Sequence, residues 1–322
     1  MRFALFIIIQ VFLSPISIIG YVYCTIYGFV QARKTGISIT GNDMLNVRWM
    51  LHRSGIRTDE AVVKMISKLP ITTMTGLKMI IFPLELGKKL TGHIPAWFKF
   101  VEPGKESLSN MINARTEFFD ESLGRHLGEM DQVVFMGAGY DTRAYKFCQN
   151  QGIETFEIDM ENTQTHKIKA LKEAGLDVEW IHFVPVDFNN EFWLEKLIKA
   201  GFERGKKTFF LWEGVTLYLP EEAVRQTIKT ITEASAEGSV LAFDVYSLTV
   251  VDPDSFLLKM ATKSLKITGE EFQFGLDLSD NQKERINVLL EKSGLSVERM
   301  RVMGTPKGKI GQFACLIEAV KR

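Results

Sequence analysis

Gln132-Val133-Val134-Phe135-Met136-Gly137-Ala138-Gly139-Tyr140-Asp141-Thr142-Arg143 is the stretch that decides the fold. An apolar run enters a Gly-x-Gly turn, and a helix-forming segment, Ala144 to Gln149, follows. A second strand-like run, Gly152 to Ile158, ends on Asp159, 20 positions after Gly139. An α/β nucleotide fold places the acidic residue that holds a ribose at about this spacing. Gly137 and Gly139 allow positive φ and close backbone approach. The next helix would offer its free N–H groups and positive dipole end there. The third glycine of the dinucleotide fingerprint is replaced by Thr142, which favours a ligand smaller than a pyrophosphate. A tight strand–helix turn without a ligand is the alternative.

Outward from this stretch, strand and helix signals alternate. Strands are expected at 132–137, 153–158, 181–186, 208–213 and 239–245, with helices at 161–174, 191–200 and 221–235 between them. Such alternation predicts a parallel sheet with helices on both faces. A helix over 280–293 and strands from Val297 to Met303 and from Gln312 to Val320 close the chain, which predicts a seven-stranded sheet whose last strand inserts antiparallel. A helix from Ser107 through Phe118-Phe119 to Leu127 precedes the sheet.

Acidic residues recur where these strands end. Asp159 can accept both hydroxyls of a ribose, or it can cap the helix over 161–174. Asp187 is placed to accept from an adenine amino group while the Phe188 N–H donates to a ring nitrogen; capping the helix over 191–200 is the other reading. Glu213 follows the buried-looking run Phe209-Phe210-Leu211-Trp212, where a carboxylate needs a reason. With Gly137, these positions fall at the carboxyl ends of successive strands, the edge at which α/β folds bind ligands.

The chain has 322 residues and a formal net charge of zero, which gives no electrostatic case for nucleic acid. Cys24, Cys148 and Cys315 are far apart, and no Cys/His cluster supports a metal site or a disulfide framework. Phe3 to Ala32 carries no charge and is long enough to cross a membrane. A membrane anchor is the favoured reading, against a signal peptide or a buried helix. Arg33, Lys34, Arg48, Arg53 and Arg57 follow the span, against Arg2 before it, which predicts a single-pass protein with its body in the cytoplasm. Residues 35–60 read as a polar linker with a short helix around Met44 to His52. Met79 to Leu86 reads as a buried or interfacial helix, and Pro95-Ala96-Trp97-Phe98 as a core pair or a membrane-surface contact. The expected division is an anchor over 1–34, a linker and helical cap over 35–106, and a catalytic domain over 107–322 with a lid insertion at 247–280.

Three segments carry a family resemblance: Gln132 to Tyr145 (QVVFMGAGYDTRAY), Phe156 to Asp159 (FEID) and Leu211 to Val224 (LWEGVTLYLPEEAV). They resemble the leucine carboxyl methyltransferase family, including its bacterial S-adenosylmethionine-dependent O-methyltransferases, and Asn113 to Leu123 (NARTEFFDESL) looks like the segment before that family's sheet. The resemblance implies a class I methyltransferase fold, Rossmann-like and seven-stranded, with S-adenosyl-L-methionine as cofactor. Arg115 would hold the methionine carboxylate, Gly137 and Glu213 its ammonium group, Gly139 the turn, Asp159 the ribose, and Asp187 with Phe188 the adenine. Tyr218 would line the acceptor side or simply pack. The N-terminal segment does not match that of the protein-methylating members, so a small acceptor is expected, and the anchor and the apolar insertion (Phe256-Leu257-Leu258, Phe272, Phe274) suggest a hydrophobic one. His126, His166 and His182 are isolated and read as surface or capping residues rather than bases. A tethered non-catalytic binding module and a nicotinamide-dependent oxidoreductase are the rival functions.

Overall fold

The structure, a computed structural model, describes residues 2–95, 99–188, 192–253, 259, 271–306, 308 and 310–322. Pro95-Ala96-Trp97-Phe98 and Phe256-Leu257-Leu258 fall wholly or mainly outside the described residues. The chain divides into two compact units, one of residues 1–101 with 165–178, the other of residues 102–164 with 179–322.

In the first unit, α1 (Arg2–Thr35) is a single 34-residue helix, followed by α2 (Ile39–Ser54), α3 (Glu60–Ile66) and α4 (Met74–Thr91). Side-chain oxygens of Ser38, Asp59 and Thr73 accept from backbone N–H groups in the first turns of α2, α3 and α4, satisfying donors a helix start leaves orphaned. α2 is longer than the helix expected around Met44 to His52. Its polar residues hid an interior face: Leu45, Arg48, Trp49 and Leu51 are all buried. Arg57, just beyond it, is buried against Asp59.

The second unit begins with α5 (Met111–His126) and holds a seven-stranded sheet: β1 (Gln132–Met136), β2 (Glu154–Asp159), β3 (Ile181–Pro185), β4 (Thr208–Trp212), β5 (Val240–Tyr246), β6 (Leu295–Gly304) and β7 (Gln312–Lys321). Strand order is β3-β2-β1-β4-β5-β7-β6. β1 to β5 pair in parallel, and β7 enters antiparallel between β5 and β6. This is the class I methyltransferase order, as the alternation and the closing strand pair predicted. Strand boundaries shift by one or two residues from those expected. α6 (Glu161–Glu173), α7 (Trp193–Lys199), α8 (Glu221–Ala234), the short α9 (Leu248–Val251) and α10 (Gln282–Leu289) complete the chain. Ala144–Cys148, expected as an α-helix, is a π-helical turn.

The parallel strands are apolar end to end because both faces are covered. On one face, Trp193 and Leu197 of α7, Val224, Ile228 and Ile231 of α8 and Ile286 of α10 pack onto Val134, Phe156, Phe210 and Phe243. Phe274, expected in a lid, belongs to this core, at 2% exposure. α5 is tied to the strand pair at the far edge. Arg125 donates to Glu318 of β7 at 2.7 Å, His126 Nε2 lies 2.9 Å from the same carboxylate, and Arg299 of β6 donates to the Phe118 carbonyl at 2.8 Å. Burial would raise the Glu318 pKa, but hydrogen bonds and the charges of His126 and Arg125 pull it down to about 2.

The lowered Glu318 pKa implies stability present above the ordinary glutamate range and lost as pH falls toward 2. Glu318→Gln is expected to lower unfolding free energy by about 2 kcal/mol at neutral pH. Denaturant titrations of both proteins should show the difference shrinking below about pH 4.

Candidate active site

Parallel pairing without slippage brings the site together. Met136 of β1 is level with Ile158 of β2, Phe135 with Leu211 of β4, and Trp212 of β4 with Phe243 of β5. One residue past these pairs lie Gly137, Asp159, Glu213 and Asp244, in a row across the carboxyl edge. Neighbouring strands are about 4.8 Å apart, so the row has the width of a small ligand. Asp187 and Phe188 follow β3 at its end.

The turn after β1 is set by its glycines. Gly137 and Gly139 have φ of +65° and +47°. A Cβ on Gly137 would meet Val215 Cγ2 at 2.3 Å, so glycine is required by space as well as by conformation. The N–H groups of Gly137 and Ala138 donate to the Ile158 carbonyl at 2.8 and 3.0 Å. The Gly139 N–H donates to Asp159 Oδ2 at 2.6 Å, and the Met160 N–H to Asp159 Oδ1 at 2.7 Å. Asp159 thus holds the turn with both of its oxygens. The Tyr140 hydroxyl is buried with no hydrogen-bond partner among the described residues, and burial together with the Asp159 charge raises its pKa.

Behind the turn lies a buried ion network. Arg115 on α5 donates from Nε to Glu213 Oε1 at 3.0 Å, hydrogen-bonds the Tyr246 hydroxyl and lies 3.5 Å from Asp244. Arg143, fully buried, donates to Asp120 at 2.7 Å, to Asp141 at 2.6 Å and to the other oxygen of Glu213. Lys146 also donates to Asp120, at 2.6 Å. Asp244 accepts from the Gly214 N–H at 2.8 Å and from the Tyr246 hydroxyl at 3.2 Å.

Burial works against the charge on both arginines, but the surrounding carboxylates outweigh it and raise their pKa values. For Asp244 burial dominates: despite Arg115 and the Gly214 N–H, its pKa is pushed up to about 6. Among the described contacts the connected set brings together three cations (Arg115, Arg143, Lys146) and four carboxylates (Asp120, Asp141, Glu213, Asp244).

The structure brings Arg115, Gly137, Gly139, Asp159 and Glu213 to one edge, with Asp187 and Phe188 past the neighbouring strand. Phe188 packs against the core. Tyr218 stands apart in a 3-10 turn, its ring 5.4 Å from that of Phe272. Sequence reasoning passed over Arg143, Asp141, Asp120, Asp244 and Tyr246. Arg143 and Asp141 lie inside the quoted Gly-x-Gly segment. Asp244 interrupts the otherwise apolar strand Val240–Tyr246, the same signal that drew attention to Glu213.

Comparison with known proteins gives a consistent picture. Residues 88–232 match the model of the leucine carboxyl methyltransferase family, a span that includes Arg115 through Tyr218 but stops before Asp244. A putative S-adenosyl-L-methionine-dependent methyltransferase of Mycolicibacterium paratuberculosis is 32% identical over 210 residues, 64% of this chain and 66% of that protein. One of Mycobacterium sp. (strain KMS) is 32% identical over 169 residues, 52% of this chain and 54% of that protein. The chain thus spans between about half and two thirds of the length of these curated relatives. Among solved structures, magnesium protoporphyrin IX methyltransferase from Synechocystis PCC 6803 aligns with a TM-score of 0.42 at 13% identity, covering 69% of this chain and 90% of that one.

Gly137→Ala is expected to combine left-handed strain with a clash against Val215. It should lower unfolding free energy by about 2–3 kcal/mol, whereas Gly128→Ala, open on every side, should cost under about 1 kcal/mol. Paired thermal melts would check the contrast.

Proposed function

From a chain whose residues 88–232 carry a leucine carboxyl methyltransferase domain, we propose an enzyme that binds S-adenosyl-L-methionine and methylates a small acceptor at an oxygen, carboxylate or hydroxyl. The observation that carries this reading is the row Gly137, Asp159, Glu213 and Asp244, three carboxylates beside a glycine turn at the carboxyl edge. That cofactor brings a sulfonium and an ammonium against a single carboxylate, so its net positive charge suits an acidic row.

The donor set fits the ligand. Asp159, a carboxylate at the carboxyl end of β2, accepts the ribose hydroxyls. Glu213 and the backbone at Gly137 take the ammonium end. Arg115 faces the carboxylate end; Gly214, with φ of +72°, leaves the guanidinium uncrowded, since a Cβ there would come within 3.0 Å of it. Asp187 and Phe188 take the adenine edge. The Tyr140 hydroxyl, buried beside Asp159, is a further donor for the ribose.

The bound sulfonium supplies an already activated methyl group, so this chain's contribution is alignment and exclusion of water. The fixed network does this without reorganising, since both guanidiniums are locked on two or more sides. A carboxylate acceptor needs no base. For a hydroxyl acceptor, Tyr218 beside Phe272 is the side chain proposed to line the acceptor side. The exposed apolar surface of α1 supports membrane association and, with it, a lipophilic acceptor.

Calorimetry with S-adenosyl-L-methionine, then incubation of enzyme, labelled cofactor and a membrane extract, tests the reading. Tight cofactor binding and a labelled small product are expected. Asp159→Ala should weaken binding by at least tenfold and also lower the melting temperature, because the Gly139 and Met160 N–H groups lose their acceptor; affinity is read at a temperature where the variant is folded. Unaltered affinity would sink the assignment. Glu213→Ala is a poorer test than its position first suggests, because it strips a shared carboxylate from two buried guanidiniums; it should cost about 3–5 kcal/mol of stability.

Affinity should also depend on pH through Asp244. Its raised pKa means that its favourable contribution to the free protein is present in acid and lost as pH rises through about 6. The ionised form, in turn, is the one a cationic ligand prefers. Cofactor affinity is therefore expected to fall as pH drops below about 6. Asp244→Asn should bind more weakly at neutral pH and show a flatter profile in the same calorimetric series.

A further inference from the structure

α1 does not stand clear of its unit. α4 runs antiparallel along it: Gly76 lies against Cys24, Met79 against Gly20, Gly87 against Phe6, and His93 packs its ring on Phe3 and Phe6 at 5.0 and 4.7 Å. Ser17 and Gln10 reach across to donate to the Ile80 and Pro83 carbonyls at 2.9 and 2.7 Å. The small residues Gly20, Gly76 and Gly87 let the two backbones meet, since a Cβ on any of them would come within 2.8 Å of the other helix. The contacts with α4 run from Phe6 to Cys24, roughly 27 Å at 1.5 Å per residue, nearly the thickness of a hydrocarbon core.

α4 is mostly apolar, and Phe82 and Leu90 are exposed on it, but it also brings charges alongside α1. α4 carries Lys78 level with Gly20, and Glu85 and Lys88 nearer Gln10 and Phe6. α2 turns back beside it, with Arg53 paired to Glu85 at 2.6 Å and Lys88 donating to the Ser54 carbonyl at 2.6 Å. If α1 crossed the bilayer upright, any 20-residue window of Phe3 to Ala32 would take Lys78, or Glu85 with its partners, into hydrocarbon, where charges are strongly disfavoured. The rest of α1 shows the opposite chemistry. Its exposed residues include Phe12, Val11, Ile18, Ile19 and Ile26, and only 11% of its most apolar window is buried. Its ends carry Arg2, Arg33 and Lys34 and no acid.

We propose that α1 lies in the plane of the membrane, with its apolar side in the acyl boundary of one leaflet and its α4 side toward water, and that its cationic ends bind anionic lipid headgroups. The helix is a monotopic float rather than a span. The inference rests on α1 being the membrane-contacting element and is independent of the methyl-transfer chemistry. The charge count that predicts a single pass also changes meaning, because Arg48 and Arg57 are buried and Arg53 is paired.

The test uses the full chain expressed in a bacterium, with Cys24→Ser and one reporter, Arg2→Cys or Lys34→Cys. A membrane-impermeant maleimide is applied to spheroplasts and to inverted membrane vesicles, and the Cys24→Ser parent sets the background. Both reporters should label in inverted vesicles and neither in spheroplasts. Labelling of one reporter from each side overturns the in-plane placement while leaving membrane contact intact. Recovery of the protein in the soluble fraction, as a monomer or a dimer burying α1, overturns both. Purified protein should also bind vesicles containing phosphatidylserine more tightly than phosphatidylcholine vesicles. Arg33→Gln with Lys34→Gln should erase roughly thirtyfold of that preference; an unchanged preference overturns the headgroup contact.

Discussion

Glu213 is shared by two buried guanidiniums, and the second unit is arranged around that sharing. A carboxylate and two arginines removed from water are tolerated only where every charge is met. Arg115 must come from α5, Arg143 from the π-helical turn beyond the glycines, and Asp244 from the adjacent strand. Each therefore fixes one element relative to β4. Displacing α5 by one turn would leave Arg115 without Glu213. Straightening the turn at Ala144 would move Arg143, which also reads Asp120 and Asp141. The network thus specifies geometry more than it adds stability, and it does so where a ligand would need rigid walls.

The same constraint explains why the edge suits a cation. Parallel pairing in register lines up the first residue beyond each strand, so the charges placed there act together. Among the described contacts four carboxylates stand against three cations, and burial raises the Asp244 pKa to about 6 despite Arg115. At neutral pH the free protein carries the cost of that buried charge. In the proposed function a ligand with net positive charge would relieve it. An NAD pyrophosphate would add to the imbalance, in agreement with Thr142 standing where a third glycine would.

The sheet was legible in the sequence because its strands are uniform apolar runs separated by helix signals, and even the inserted β7 followed from the closing pair. The edge residues were legible for the same reason: Asp159 and Glu213 are carboxylates directly after apolar runs. Asp244 gave the same signal one strand later and was passed over, since it falls inside a strand instead of at its end. Arg143 was hidden differently. Charged residues beside a glycine turn read as solvent-facing, and only the tertiary structure shows that three carboxylates surround this one. α2 misled through composition, because Arg48 and Arg57 look like surface charge and are buried. In each case the sequence reveals the residue and not its partner.

Hydropathy has a related blind spot at the N-terminus. A window of apolar residues gives the length of a helix and not the direction of its axis. For α1 the direction is constrained by what lies against it. A spanning helix needs lipid or apolar protein at every depth along its flank, whereas α1 meets α4 from Phe3 to Cys24, and α4 carries Lys78, Glu85 and Lys88 along that length. Its glycines make that contact too close to part without exposing backbone, so the polar flank travels with the apolar one. The element therefore acts as a two-sided strip, and an interface between water and hydrocarbon is the environment that satisfies both sides at once.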